Sequence, residues 1–124
     1  KIILEQRKIY QKISPVYKSY QEKYRSSSIG RYKHLVSSAK VQGWILQLSF
    51  LQWNKIIKNP CCYCGDEVLK NTRGHGIDRI DSSSGYLLGN VVSCCGRCNK
   101  MKLNYPAEDF IEHCNKIVLW VEKR

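Results

Sequence analysis

No apolar run in the sequence approaches the length of a membrane-spanning helix, and residues 1–7 lack the apolar centre of a signal peptide. The absence of both leads to the expectation of no membrane partner, and the clustered cysteines described below to that of an intracellular, reducing location. Acidic side chains are also scarce. Ten Asp and Glu stand against twenty-one Lys and Arg, a formal charge of +11. The excess is uneven, because residues 1–40 hold ten basic and two acidic side chains, a net +8. A field of that sign gathers polyanions, so nucleic acid is the expected partner. Histidine is rare as well: of three, His34 lies in a basic stretch and His113 beside an apolar helical face, and both read as structural or solvated. No internal repeat is visible beyond two cysteine clusters, and 124 residues leave room for one small domain with an appendage.

Cysteine is plentiful: seven in all, six of them in the clusters Cys61/Cys62/Cys64 and Cys94/Cys95/Cys98. A disulfide framework spreads its cysteines, whereas tight clusters suit thiolates converging on one ion. The pairs Cys61-x-x-Cys64 and Cys95-x-x-Cys98 have the gap that lets both sulfurs of a knuckle reach the same metal. Four thiolates make a closed tetrahedral site, so a structural Zn²⁺ is expected, with Cys62 and Cys94 as the spare members. Coincidental buried thiols are the bland alternative. Cys114, on an apolar helical face, reads as a small buried hydrophobe.

The fold class expected is α+β, with a basic helical extension over residues 1–43 and a zinc-stapled domain over 44–124. Ile2, Ile9 and Ile13 form a thin apolar stripe on a first helix. Ser14 before Pro15 looks like an N-cap that restarts a helix through about Arg25, and Tyr17, Tyr20 and Tyr24 share one face of it. That tyrosine face suits packing against the domain, or stacking on bases. Residues 26–30 read as a hinge, 31–41 as a helix stopped near Gly43, and 44–48 as a strand. Ser49 caps a helix over 50–58 whose apolar face is Phe50, Trp53, Ile56 and Ile57. A last helix from Tyr105 and Pro106 to about Lys123 shows Phe110, Cys114, Ile117, Val118 and Val121 on one face.

Between the knuckles, residues 76–81 read as a strand, 82–85 as a turn, 90–93 as the returning strand and 95–103 as the start of a helix. Strand, turn, strand and helix, clamped at both ends, make a ββα unit. The segments GIDRID, GY, GNVVSCC and CNKMK, preceded by PCCYCG, closely resemble the phage-type branch of the HNH endonucleases, which have the ββα-metal or His-Me finger fold. The resemblance covers roughly residues 31–118, including the lead-in RYKHLVSSAKVQGW.

What the resemblance implies is a nuclease of nucleic acid, with DNA the favoured and RNA the alternative substrate, and with Asp78 and Asn99 on a catalytic Mg²⁺ or similar divalent ion. It also implies that Asn90 orients the catalytic loop. The family's general base, a His directly after the metal-binding Asp, corresponds here to Arg79. A guanidinium cannot take a proton from water, though it can grip a phosphate and stabilise developing charge. His75 is the only nearby substitute base, three residues from Asp78 and so ~10 Å away on a regular strand. The basic residues expected to meet phosphates are Lys18, Lys23, Arg25, Arg31, Lys33, Arg79, Arg97, Lys100 and Lys102. The alternative reading is a lapsed HNH domain that binds nucleic acid within a larger ribonucleoprotein or phage assembly. A plain zinc-ribbon adaptor explains the cysteines but not the hairpin. Singly, Asp78, Asn90 and Asn99 also suit a solvated strand, a turn and a helix cap.

Overall fold

Helices α1 (Ile2–Ser26) and α2 (Ser28–Gln42) lead in to the ββα unit. The structure, a computed structural model, describes residues 2–70 and 72–124; the side chains of Ile2 and residues 10–13 are outside the description. Two members of the expected Ile2, Ile9 and Ile13 stripe therefore lie outside the described side chains, and the third, Ile9, is exposed.

Helix α1 corrects the expected restart at Ser14, because Pro15 lies inside one continuous helix. Proline removes one backbone donor and costs about 3 kcal/mol in a helix interior. The Lys, Gln and Glu residues on its C-terminal side are good helix formers, and the helix runs on to Ser26. The expected hinge also shrinks to one residue. Ser27 is extended, and its hydroxyl accepts from the Gly30 amide at 3.1 Å, so α2 begins at Ser28 instead of residue 31. A β-carbon on Gly30 would collide with the Tyr24 carbonyl, which is why the turn between the helices needs glycine there. Gly43, at φ 76°, closes α2 in the left-handed conformation.

Strand β1 (Leu46–Gln47) leads into α3 (Phe50–Ile56), which opens with a full capping box between Ser49 and Gln52. Strands β2 (Gly76–Arg79) and β4 (Val91–Cys94) pair antiparallel, Gly76 with Cys94 and Arg79 with Val91. Strand β3 (Tyr86–Leu87) pairs parallel with β1. Helices α4 (Gly96–Lys102) and α5 (Ala107–Lys123) follow.

The core gathers Leu48, Trp53, Ile57 and Val91, with Tyr32, Leu35, Phe50, Ile56, Ile77 and Tyr86 packed around them. Burying each large apolar side chain contributes roughly 1.5–3 kcal/mol. Tyr32 also donates to the Leu48 carbonyl at 2.6 Å, so α2 is tied to the core by packing and by a hydrogen bond.

Two apolar faces turn out differently from expectation. Tyr17 and Tyr20 are exposed, and Tyr20 and Tyr24 stack on each other at 6.4 Å. On α5, Ile117, Val118 and Val121 are about half exposed and Cys114 is only partly buried. The core is already closed by α2, α3 and the strands. Phe110 reaches inward instead to the edge of Tyr63, ring to ring at 5.6 Å. Among the described residues no helix is long and apolar enough to cross a membrane.

Candidate metal centres and active site

Cys61, Cys64, Cys95 and Cys98 are brought together as the spacing predicts, with all four sulfurs within 4.8 Å of one another. Cys64 and Cys95 Sγ are 3.8 Å apart. Four Zn–S bonds of about 2.3 Å in a tetrahedron separate sulfurs by about 3.8 Å, so donors and spacing both fit a closed zinc site. The first knuckle is folded by its own backbone. Gly65 donates to the Cys61 carbonyl and Cys61 to the Asp66 carbonyl, each at 2.9 Å. The second knuckle opens α4, where Cys95 Sγ caps the Cys98 amide.

Burial pushes the Cys61 thiol up, but backbone donors around Cys64, Cys95 and Tyr63 outweigh it and bring it down to about 6. Cys98 is pushed the other way by its burial and by the neighbouring sulfurs, so the four thiols do not ionise together without an ion. Cys94 is buried and pushed up to about 12 by that burial and by the charge of Cys61. Cys62 serves the backbone, donating to the Ser93 carbonyl at 2.8 Å.

The knuckle is tied to the core through residues 73–75. Gly74, at φ 84°, lies so close to the Ile57 carbonyl that a β-carbon would stand 2.6 Å from it, and the His75 amide donates to that same carbonyl. Gly74→Ala is expected to cost at least about 1 kcal/mol, read as a lower urea midpoint at unchanged slope.

His75 is turned to this support role. Its Nε2 lies 2.8 Å from the Asp66 carbonyl, which can only accept, so that nitrogen carries the proton. The structure does not bring it to Asp78, which is a correction to its candidacy as base. Arg31 is a second correction. Its guanidinium donates to the carbonyls of Arg73 and, at 2.8 Å, His75, and lies 5.5 Å over the Trp53 ring. Burial, then Arg73, lowers its pKa. It is a strut between α2 and the loop before β2, not a free phosphate contact.

Asp78 is buried on β2. Its Oδ2 accepts from Tyr63 at 2.7 Å and pairs with Lys102 Nζ at 3.1 Å; that ammonium also donates to the Arg79 carbonyl at 3.1 Å. Lys102 is completely buried, which corrects its placement among the phosphate contacts. The Tyr63 phenol is pushed well above its ordinary range by burial and by Asp78, so it remains a donor. Oδ1 of Asp78 is left without a protein partner among the described residues.

Asn99 is exposed on α4, one turn before Lys102 and so on the same side of the helix. Its side chain makes no hydrogen bond to the described residues. One free carboxylate oxygen, pinned through its twin, and one free amide oxygen suit a hard divalent ion that takes its remaining ligands from water and phosphate.

Arg79 points away from Asp78, as strand alternation requires. Its guanidinium is bracketed by Trp44 at 4.0 Å and Tyr86 at 5.2 Å and donates to the Ser84 carbonyl at 3.0 Å. Asn90 locks the turn: its Oδ1 accepts from the Asp81 amide, while its Nδ2 donates to the Asp81 and Gly85 carbonyls, all at 2.9–3.0 Å. Asp81 holds the turn from inside through Ser83 and Ser84, and the Ser83 hydrogen bonds keep its carboxyl below the usual range.

Lys18, Lys23, Arg25, Lys33, Arg97 and Lys100 are all exposed. Arg25, Arg31 and His34 border a groove floored by Leu35, Trp53 and Ile77. Tyr63, Trp44 and Tyr86 were not singled out as site residues from sequence. The signal for Tyr63 is its place between two ligands of one knuckle. For the other two it is only that an arginine on a strand needs a bracket, which spacing does not locate.

No family model matches the chain. Over 95 residues it is 37% identical to an uncharacterized protein of Acanthamoeba polyphaga mimivirus, which covers 77% of this chain and 18% of that protein. Over 85 residues it is 28% identical to an uncharacterized 29.0 kDa protein of Enterobacteria phage T4, covering 66% of this chain and 34% of the relative. The chain thus spans about a fifth and a third of the relatives it matches. Among solved structures it resembles the rare-cutting HNH restriction endonuclease PacI, with a TM-score of 0.55, 23% identity, and coverage of 73% of this chain and 75% of the enzyme. The fold is that of an HNH endonuclease.

Proposed function

We propose that this HNH-fold chain is a metal-dependent endonuclease that hydrolyses phosphodiester bonds of nucleic acid, DNA in preference to RNA, with the four cysteines holding a structural Zn²⁺. The observation that supports it best is the state of Asp78: one oxygen is fixed by Tyr63 and by Lys102 of α4, the other has no partner among the described residues, and Asn99 lies one turn before Lys102 on the same helix. Asp78 and Asn99 would hold the catalytic Mg²⁺ or a similar ion. When bound, that ion supplies charge stabilisation to the leaving oxygen of the phosphodiester. Asn90 keeps the turn after β2 in one shape, while Arg79, on the opposite face of β2 from Asp78, is held in its aromatic bracket beside that turn. The resemblance to an enzyme that acts on DNA supports DNA as substrate.

With Arg79 at the family's base position and His75 hydrogen-bonded to Asp66, the attacking water gives its proton to bulk solvent in this reading. The same arginine favours the second reading, a lapsed nuclease that binds nucleic acid as part of a larger assembly. Zinc-loaded protein incubated with supercoiled plasmid, and separately with RNA, in Mg²⁺ or EDTA separates the two. Metal-dependent nicking supports the enzyme; tight, salt-sensitive binding without cleavage in any metal supports the binder.

Both readings place α1 on the phosphates. Replacing Lys18, Lys23 and Arg25 together by Ala is expected to reduce the slope of log affinity against log salt for duplex DNA by about 2–3. Unchanged affinity and slope would remove α1 from the binding surface.

A further inference from the structure

Lys102 is a wholly buried ammonium set against the very carboxylate that would hold the catalytic ion. Asp78 and Lys102 cancel, Tyr63 stays protonated beside them, and Asn99 is neutral. A hard divalent ion is retained in proportion to the anionic charge of its ligands, and this site has a net charge of zero to offer. A phosphodiester brings the missing negative charge. Building on the nuclease reading above, we propose that the ion site is completed by the substrate: Lys102 keeps it weak in the free protein by neutralising Asp78, so that divalent ion and nucleic acid bind with strong mutual cooperativity. Lys102 is thereby a positioning residue acting through Asp78, which it also orients by pinning Oδ2.

Such coupling is reciprocal: each ligand must tighten the other by the same factor. The test is a Mn²⁺ titration, followed by the electron paramagnetic resonance of the free ion, on zinc-loaded protein with and without a cleavage-resistant phosphorothioate duplex. Asn99→Ala serves as the blank for ions held by the duplex itself. In the wild type the duplex is expected to tighten Mn²⁺ at least tenfold, and Mn²⁺ to tighten the duplex equally. Lys102→Met is expected to tighten Mn²⁺ at least tenfold in the duplex-free protein and to shrink the coupling, whereas Lys102→Arg, which keeps the charge, preserves it.

Equal Mn²⁺ affinity with and without a bound duplex overturns the proposal and leaves the nuclease reading standing. A duplex that does not bind under any condition overturns the nuclease reading itself. If Lys102→Met does not fold, the wild-type titration decides substrate completion and the Lys102→Arg coupling decides the part played by the charge.

Discussion

Replacing Cys95 by Ser is expected to unfold the domain at room temperature, and zinc removal by a strong chelator to do the same to the wild type. Cys95 has two roles at once. Its sulfur lies within 4.8 Å of the other three thiols, and it caps the first turn of α4 by accepting from the Cys98 amide. Structural zinc supplies on the order of 10–16 kcal/mol in small modules at neutral pH, which matches or exceeds the whole stability of a typical domain, about 5–15 kcal/mol. The buried apolar cluster of Leu48, Trp53, Ile57 and Val91 is small, so little is left to hold β2, β4 and α4 together without the ion. Circular dichroism melts with and without chelator, alongside one zinc per chain by elemental analysis, check the expectation. A Cys95→Ser protein that melts as the wild type does would contradict a structural site.

The second large effect concerns Asp78. Asp78→Ala leaves the Lys102 ammonium buried and unpaired, which typically costs about 3–5 kcal/mol. Asp78→Ala combined with Lys102→Met removes both charges and is expected to recover most of that loss, because an apolar pair of similar volume tolerates burial. Urea unfolding of the two single variants and the double variant closes the cycle, and additive losses would show that the two side chains do not interact. Loss of activity in Asp78→Ala alone therefore says little about chemistry, since the fold is weakened by the same change. Asn99 is the better probe: it is exposed, makes no side-chain hydrogen bond among the described residues, and can be truncated at little cost to stability.

The ββα unit and its cysteine clamp were legible because their signals are local. A two-residue gap between cysteines, an Asn at the start of the returning strand and Ser49 three residues before Gln52 each dictate geometry over a few positions. What sequence could not supply was the far side of each contact. Lys102 reads as one more surface cation in a basic chain, and only the packing of α4 on β2 turns it inward to Asp78. Arg31 likewise reads as part of an electrostatic handle until the loop at 73–75 folds over it and offers two carbonyls. The restart at Ser14 failed for a different reason: a proline signal was read as a boundary where neighbouring helix formers carry the helix through it. On α5 the periodicity correctly gave a helix, but the presence of an apolar face does not say that the domain covers it.

The most direct measurement is the rate of supercoiled plasmid nicking in Mg²⁺ by zinc-loaded wild type and by Asn99→Ala, with melting curves confirming that both are folded. A metal-dependent nuclease acting through Asp78 and Asn99 predicts nicking by the wild type that EDTA abolishes, and a loss of about 100-fold or more in the variant. Equal rates in the two proteins, or no nicking by the wild type in any divalent metal, would contradict it.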